Sequence, residues 1–308
     1  MKKTTGLILA AALALAASIS CTNENTVDEN ANSAVENAET ARIATWNLEW
    51  FGALNRGEED IKRIAGIIRE LDLDVLALEE ITCPCTVEQL IGELGDYDYF
   101  ISLQRIPQKL ALLWRKDRVD QIEFDEQAYD ALRGVAVTGL DRESRQPLVF
   151  RMRINKFDFT LMVVHLKSIP EAERSVEIRN IQYDAINEWL SAELSAADAE
   201  EDIIIAGDFN SYYSGISSER LREAGHVVFL TTALPEGEYS NIWYNYEGNR
   251  NLSLIDHISV TPALRGGEFE RIEPIRDWDV ELGADQYENG VSDHLPLVAV
   301  FRSTADND

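Results

Sequence analysis

Several polar residues in this 308-residue chain stand where apolar stretches end or are interrupted, and their types suit metal and phosphate chemistry. They are Asn47, Glu80, His165, Asp208, Asn210, Asp256, Asp293 and His294. Carboxylates brought together repel one another unless a cation or a proton lies between them. Oxygen donors without a set of thiolates favour Mg²⁺, Mn²⁺ or Ca²⁺ over zinc. The pattern therefore predicts a site for a divalent cation or for phosphoryl oxygens.

The stretch 203–211 carries the densest part of this pattern. Its three isoleucines indicate a buried strand. Gly207 allows a sharp exit and a close backbone approach, because it has no Cβ. If the extended geometry continues, Asp208 and Asn210 point the same way at the end of the strand. Asp and Asn are also ordinary turn residues, so the weight of this stretch depends on the rest of the chain.

The elements that would position these residues are many strands and a few helices. Apolar runs predict strands at 42–47, 74–81, 109–114, 147–154, 157–166, 252–260 and 295–301. Helical spacing of apolar residues predicts a helix over 60–71 and the longest helix over 171–194, the latter with Ile178, Ile181, Ala185 and Trp189 along one face. This mixture predicts an α/β or α+β sandwich with the sheets inside and the helices outside.

Six short motifs carry a resemblance to a known family. They are TWN (45–47), LALEE (76–80), VVHLKS (163–168), AGDFNS (206–211), LIDHI (254–258) and SDHLP (292–296). Each motif alone is weak, but in this order they make the chain similar to the endonuclease/exonuclease/phosphatase superfamily over about residues 42–301. The resemblance implies an α/β (α+β) fold, namely a four-layer α-β-β-α sandwich of two mixed β-sheets packed face to face with outer helices.

The resemblance also implies roles for the matched residues. The metal ligands would be Asn47, Glu80, Asp208, Asn210 and Asp293, holding Mg²⁺ or Mn²⁺, with Ca²⁺ possible as an auxiliary ion. The catalytic residues would be His165, Asp208, Asn210, Asp256 and His294. Asp208 and Asn210 would position the attacking water or a second cation. His165 and His294 would contact and protonate the phosphate, while Asp256 would orient His294.

One residue departs from the family pattern. Glu79 stands where the family often has Gln. The extra carboxylate either faces the edge of the core or adds charge to the site.

The two remaining histidines have structural interpretations. His257 directly follows Asp256, so on a strand it points to the opposite face. His226 lies outside the motifs, and we interpret it as a surface or core residue.

Two cysteines and two arginines near the motifs also have ordinary interpretations. Cys83 and Cys85 form a poor zinc set on their own, so a short disulfide or two free thiols are both open. Arg174 and Arg179 could reach a phosphate from the long helix, but exposed helix charge is the commoner explanation.

The chain is strongly acidic, with 55 acidic and 28 basic residues and a formal net charge of −27. Such a balance disfavours tight binding of nucleic acid through a basic groove and disfavours acidic membranes. A nucleic-acid substrate is still compatible with it, because bound divalent cations can reverse the sign of the local field.

The N-terminal residues predict export. Residues 1–20 have a charged start and an apolar stretch, as a signal peptide does. Cys21 resembles the acylated first residue of a bacterial lipoprotein, although Ser18 stands where that pattern usually has Leu; plain secretion is the alternative. Residues 21–40 predict an acidic tether and 41–308 one domain. We expect an extracytoplasmic monomer that meets the membrane only through an N-terminal lipid anchor.

Three functions compete at this stage. The first is a metal-dependent phosphodiesterase, an extracytoplasmic nuclease acting on DNA or RNA. The second is a phosphatase or a lipid (sphingomyelinase-like) phosphodiesterase on the same site, although we find no clear exposed apolar element to enter lipid. The third is a non-catalytic surface binding module, which is disfavoured because a competent residue fills every chemical position.

Overall fold

A computed structural model describes residues 39–53, 57–136, 144–169, 172–197 and 199–306. The signal peptide (1–20), Cys21 and the tether up to residue 38 lie outside the described residues, so these features stay predictions of the sequence. Within the described ranges, no helix is both long enough and apolar enough to cross a membrane.

The first sheet has six strands, which we number along the chain with those of the second. They are β1 (Thr40–Phe51), β2 (Val75–Ile81), β3 (Tyr97–Ile101), β4 (Lys109–Arg115), β13 (Phe269–Ile272) and β14 (Leu297–Arg302). Their order in the sheet is β13-β14-β1-β2-β4-β3. β1 and β2 run parallel and the other neighbours antiparallel, so the sheet is mixed.

The second sheet also has six strands, and a separate two-stranded hairpin lies between two of them in the chain. The sheet strands are β5 (Gln121–Phe124), β6 (Leu148–Ile154), β7 (Phe157–His165), β8 (Ile203–Asp208), β9 (Val228–Phe229) and β12 (Asp256–Val260). Their order is β5-β6-β7-β8-β12-β9, with β7 and β8 parallel. The hairpin pairs β10 (Asn241–Tyr244) with β11 (Arg250–Ser253).

Helices cover the outer faces of the two sheets. They are α1 (Glu58–Glu70), α2 (Pro84–Leu94), α3 (Glu126–Ala131), α4 (Glu173–Glu193), α5 (Ile216–Ala224), α6 (Pro262–Gly266), α7 (Trp278–Leu282) and α8 (Ala284–Gly290). α4 packs Tyr183, Ile186 and Leu190 in one apolar cluster with Met162 and Ile205 of the second sheet. α1 and α2 contribute to the larger cluster that contains the first sheet and the space between the sheets. The predicted sandwich with two mixed sheets and outer helices is confirmed.

Two details of the sequence prediction were wrong. Ile181 was placed on the buried face of the long helix, but it is exposed, and polar residues such as Gln182 are buried there instead. The strand predicted over 252–260 is split into β11 and β12. It breaks because the backbone N–H groups of Ile255 and Asp256 donate to Ser240 Oγ, at 3.2 and 3.1 Å.

The alternation of side chains along β8 decides which residues reach the interior of the sandwich. Ile203 and Ile205 belong to the outer cluster, whereas Ile204 and Ala206 belong to the cluster between the sheets. Asp208 continues the inner series at the end of the strand. The register places His165 of β7 and Asp256 of β12 directly beside Asp208, one on each side. Three strands therefore deliver three ionisable residues to one row.

Gly207→Ala is expected to destabilise the protein by roughly 3 kcal/mol or more. Gly207 has a φ of +151°, and a Cβ there would overlap the carbonyl oxygen of Val164 on the neighbouring strand. Chemical denaturation measures the loss. Gly66→Ala in α1 is the matched control, because its Cβ would meet nothing within 4 Å; it should gain about 0.5–1 kcal/mol. Wild-type stability of the Gly207 variant would contradict this reading of the close approach.

Candidate active site

The carboxylate of Asp208 lies at the centre of the site and joins residues from both sheets. Its Oδ2 accepts hydrogen bonds from Asn47 Nδ2 at 3.1 Å and from Asn210 Nδ2 at 3.0 Å. The same oxygen is 3.4 Å from His165 Nε2. Asp208 is 2% exposed, so water screens these interactions little. The structure therefore brings together four of the residues that the sequence nominated.

Asn210 reaches Asp208 through a turn and not through an extended strand. The strand ends at Asp208, and Asn210 has a left-handed backbone with a φ of +50°, a conformation that Asn adopts more readily than most residues. Its backbone N–H donates to Asp208 Oδ1 at 2.8 Å, which closes the turn. The two side chains meet as predicted, but for a different reason.

His294 and Asp256 form a buried pair beside this group. His294 Nδ1 lies 2.8 Å from Asp256 Oδ2, and Ser240 Oγ donates to the same oxygen at 2.6 Å. Burial alone lowers the pKa of His294, but the Asp256 carboxylate and the nearby Asp293 raise it well above its ordinary value. The imidazole is therefore held in one orientation and favours its protonated form.

The backbone of His294 is fixed against the first sheet. Its N–H donates to Ser292 Oγ at 3.0 Å, and Ser292 Oγ donates to the carbonyl oxygen of Asn47 at 2.7 Å. Its carbonyl oxygen accepts from Trp46 Nε1 at 2.9 Å and from Tyr287 Oη at 2.8 Å. These bonds hold the segment that carries the imidazole against β1, next to Asn47.

His165 has the opposite electrostatic setting. Burial lowers its pKa well below the ordinary value, and the neighbouring Arg145 lowers it further. These neighbours favour the uncharged imidazole, which can donate a hydrogen bond but carries no additional proton to transfer. Proton donation, which the sequence resemblance assigned to both histidines, therefore fits His294 better than His165.

Glu80 and Asp293 form the more accessible side of the site. Glu80 has a φ of +61°, and its Oε2 accepts from the N–H of Trp50 at 3.0 Å. Its Oε1 lies 3.8 Å from His165 Nε2. Asp293 Oδ1 lies 3.8 Å from His294 Nε2, and burial raises its pKa. Both carboxylates line the same cavity as Asp208.

The loop after Glu80 contains a disulfide. Cys83 and Cys85 are bonded, with a Cα–Cα distance of 5.2 Å, which decides between the two options that the sequence left open. The N–H groups of Thr82 and Cys83 both donate to the carbonyl oxygen of Phe51, at 2.8 and 3.3 Å. The loop is thereby attached to the end of β1.

Glu79 lies beneath the site, fully buried. Its Oε1 accepts from Thr45 Oγ1 at 3.0 Å, and its Oε2 has no hydrogen-bond partner. Burial raises its pKa well above the ordinary value, and Asp256 and Asp208 raise it further. The residue that departs from the family pattern therefore favours its neutral form in the interior, close to Asp256 and Asp208.

His257 faces away from the site, as its position after Asp256 predicts. Its Nδ1 lies 2.8 Å from Thr231 Oγ1, and its Nε2 lies 2.9 Å from the carbonyl oxygen of Ser211. It therefore supports the turn after Asp208 from behind. His226, outside the site, is half-buried.

The interpretation of the two helix arginines was right for one and wrong for the other. Arg174 is exposed and pairs with Glu177 at 2.6 Å. Arg179 is fully buried, and its Nη1 donates to the carbonyl oxygens of Lys167 and Ile169, at 2.5 and 3.3 Å. These hydrogen bonds hold the loop that follows His165 in place.

The sequence analysis missed several residues of the site. Arg145 is buried and close enough to His165 to affect its pKa, and Ser240 holds the Asp256 carboxylate. Neither residue stands at the end of an apolar run, which is the feature by which the sequence identified the other site residues. A cavity of about 480 Å³ is lined by the carboxylates of Glu80, Asp208 and Asp293, and Tyr212 and Trp243 also line it. Neither Tyr212 nor Trp243 belongs to any of the six motifs, so the sequence did not predict the aromatic side of the cavity.

A divalent cation fits the residues that are present. The carboxylates of Glu80, Asp208 and Asp293 line one cavity. A carboxylate oxygen of Asp256 lies within 4.8 Å of one of Asp208, and Asp256 Oδ1 is buried without a hydrogen-bond partner. Burial raises the pKa of Asp208 to about 7, and the nearby Asp256 contributes to this rise. A positive charge would relieve this repulsion, and the hard oxygen donors suit Mg²⁺, Mn²⁺ or Ca²⁺.

Comparisons with known proteins place this geometry in context. A model of the Endonuclease/Exonuclease/phosphatase family matches residues 44–294. No curated protein sequence matches the chain. Among solved structures, TDP2 from D. rerio complexed with single strand DNA product is similar with a TM-score of 0.62 and 18% identity, covering 85% of this chain and 99% of that chain. At such identity the likeness shows the fold.

Two bacterial structures are similar to a comparable degree. The 3' phosphatase NExo from Neisseria, bound to product DNA hairpin, has a TM-score of 0.58 and 17% identity, covering 85% of this chain and 99% of that chain. The mannosyl-6-phosphatase Bt3783 from Bacteroides thetaiotaomicron VPI-5482 has a TM-score of 0.57 and 14% identity, covering 84% of this chain and 98% of that chain. The shared fold thus accompanies different substrates in these proteins.

The stability of the protein should fall as the pH is lowered, because of His257. Burial lowers the pKa of His257 to about 4, so between that value and about 6.5 the unfolded chain binds the extra proton. The contribution of His257 to the free energy of unfolding is therefore fully present above about pH 6.5 and is lost as the pH falls towards 4. His257→Gln cannot titrate, so the stability difference between wild type and variant should shrink by up to about 1.4 kcal/mol per pH unit in this window. Urea denaturation at several pH values measures it. A difference that does not depend on pH would contradict the assignment.

Proposed function

Since the chain belongs to the endonuclease/exonuclease/phosphatase family of phosphoric ester hydrolases, we propose that it is a metal-dependent phosphodiesterase that acts on DNA or RNA outside the cytoplasm. One observation carries the chemistry: the buried His294–Asp256 pair lies beside the Asp208 carboxylate, and both His294 and Asp208 line one cavity. The signal-like residues 1–20 and Cys21 support the location, and fractionation of cells that express wild type and Cys21→Ala is the check.

The acidic residues would hold the metal. Glu80, Asp208 and Asp293 supply the carboxylates, with Asn47 and Asn210 beside Asp208. When bound, a divalent cation supplies positive charge to the phosphoryl oxygens and lowers the pKa of a water molecule.

The two imidazoles would have different roles at the phosphate. Asp256 orients His294 and, together with Asp293, raises its pKa, which favours the protonated form that can donate a hydrogen bond or a proton to an oxygen of the phosphate. Burial lowers the pKa of His165 and favours its uncharged form, which can donate a hydrogen bond through Nε2, the atom that faces the carboxylates of Asp208 and Glu80. Asp208 and Asn210 would position the attacking water, since the polar side chains of both line the cavity.

Nucleic acid is the substrate we favour, and a phosphomonoester is the alternative. Two of the similar structures contain DNA, whereas a third is named as a sugar phosphatase. Assays of the purified protein with Mg²⁺ or Mn²⁺ on DNA, RNA, bis-p-nitrophenyl phosphate, a sugar 6-phosphate and sphingomyelin separate these options. Preference for a nucleic acid supports the proposal, and exclusive cleavage of the monoester or the lipid would overturn its substrate part.

Glu80→Gln and Asp293→Asn are expected to lower the affinity of the site for the divalent ion and also to lower the rate of hydrolysis. Each change removes a negative charge from an oxygen site, so a higher metal concentration should be needed for half-maximal rate. Metal titration of the hydrolysis of bis-p-nitrophenyl phosphate measures this. Asp158→Asn, an exposed residue of β7, is the matched control and should leave the titration unchanged. Full activity in excess chelator would end the metal-dependent account.

His294→Ala is expected to lower turnover by about 10²–10⁴ while changing substrate affinity little, because it removes the positioned acid. Asp256→Asn should lose less, since the imidazole remains but is poorly oriented. His257→Ala removes a neighbouring ring that faces away from the cavity and should keep near-wild-type turnover if it folds. Steady-state kinetics compares the three. An equal loss in a stable, folded His257 variant would show that the wrong imidazole was assigned.

A further inference from the structure

One side of the cavity is built from aromatic and apolar side chains that take no part in the chemistry proposed above. We call Ile169, Ala172, Tyr212, Trp243 and Ile255 the aromatic wall. All of them line the cavity together with the carboxylates of Glu80, Asp208 and Asp293. Trp243 is 43% exposed and Ile169 is 63% exposed, so an apolar surface beside the site stays open to solvent. Large exposed aromatic surface next to a reaction centre favours contact with a ligand over a purely structural role.

The sheet register fixes the wall relative to the catalytic segment. Asn241 forms an isolated bridge with His294, and the N–H of Ile242 donates to the carbonyl oxygen of Asp293 at 2.8 Å. Trp243 follows two residues after Asn241 on β10 and therefore shares its face of the strand. At the usual rise it lies roughly 7 Å further along the strand than Asn241. The wall thus begins about one substrate unit away from the imidazole that would contact the phosphate.

The chemistry of the wall indicates what it would hold. No lysine or arginine occurs among the described residues that line this cavity, and the lining carboxylates Glu80, Asp208 and Asp293 repel additional phosphates. The chain as a whole carries a net charge of −27. A flat, uncharged aromatic group gains from stacking on an indole ring whatever the net charge of the protein. Such a contact would supply the affinity that a basic groove supplies in other nucleases.

We propose that Trp243 is a stacking platform for the nucleobase next to the scissile phosphate, so that the enzyme recognises one nucleoside unit and not a long stretch of backbone. This inference rests on the proposed phosphodiesterase activity and adds the substrate group that the cavity selects. Tyr212 and Ile169 would complete the apolar surroundings of the base and its sugar. Trp243 is a binding residue in this account, and the His294–Asp256 pair needs no help from it.

The test compares substrates that share a leaving group. Thymidine 5′-(4-nitrophenyl phosphate) and thymidine 3′-(4-nitrophenyl phosphate) differ from methyl 4-nitrophenyl phosphate only in the group that is retained. Trp243→Ala should lower kcat/KM for at least one thymidine ester by about 5- to 150-fold, mainly through KM. The methyl ester should change by less than about 2-fold, since it has no base to stack. Trp243→Phe should restore much of the loss, because its ring also offers a face.

A binding measurement makes the test independent of turnover. Calorimetric affinity for thymidine 5′-monophosphate should weaken by the same about 5- to 150-fold in Trp243→Ala. If wild type hydrolyses none of the three esters but still binds the nucleotide through Trp243, the proposed diesterase function fails and this inference stands. If Trp243→Ala binds the nucleotide as wild type does, or loses all three esters equally, the inference is overturned.

A neighbouring residue separates base stacking from membrane contact. Tyr246 lies in the turn of the hairpin, is fully exposed and is not part of the cavity lining. Tyr246→Ala should keep the kinetics and nucleotide affinity of wild type. Sedimentation with vesicles of phosphatidylcholine and sphingomyelin should show the same partitioning for wild type and both alanine variants. Loss of vesicle binding in the Trp243 and Tyr246 variants together would assign the hairpin to lipid and overturn the proposal.

Discussion

The burial of the Asp208 carboxylate among other acids is the constraint on which the site depends. Burial and the nearby Asp256 raise the pKa of Asp208 to about 7, so the ion-free site has an electrostatic conflict at neutral pH. The amide groups of Asn47 and Asn210 stabilise one of its oxygens, but amides carry no full charge. The raised pKa of His294 favours a positively charged imidazole, which would supply part of the missing positive charge, and a divalent cation would supply the rest.

The packing of the two sheets maintains the repulsion between the buried carboxylates, because it fixes their positions. Asp208 stands in register between His165 and Asp256, and the close approach at Gly207 keeps β8 tight against β7. Asn47 comes from the other sheet, so the site closes only when the two sheets pack face to face. A rigid sandwich can therefore hold charges together that a flexible loop would separate, which is how folded scaffolds store unfavourable electrostatics at functional sites.

The sequence contained the strand-end residues but not their partners. The three isoleucines of β8 correctly indicated a buried strand that ends at Asp208, because strand propensity is local information. Nothing local distinguished Arg179 from an exposed helix arginine; its burial follows from carbonyl oxygens of a loop that only the tertiary fold brings to it. The break between β11 and β12 depends likewise on Ser240, which lies well before it in the chain. Trp243 could not be placed in the cavity because its position depends on a bridge between Asn241 and His294.

The most direct test of the account is the effect of a divalent cation on stability, since it requires no knowledge of the substrate. Calorimetric unfolding of wild type and Asp208→Asn should be recorded with and without Mn²⁺. A cation that binds only the folded state adds about 2.7 kcal/mol at a concentration 100 times its Kd. The account predicts a saturable rise in the Tm of wild type and a much smaller rise in Asp208→Asn, whose ion-free form should be no less stable than wild type because the repulsion has been removed. An unchanged Tm in wild type, or an equal rise in both proteins, would contradict the claim that Asp208 and the carboxylates around it form a metal site.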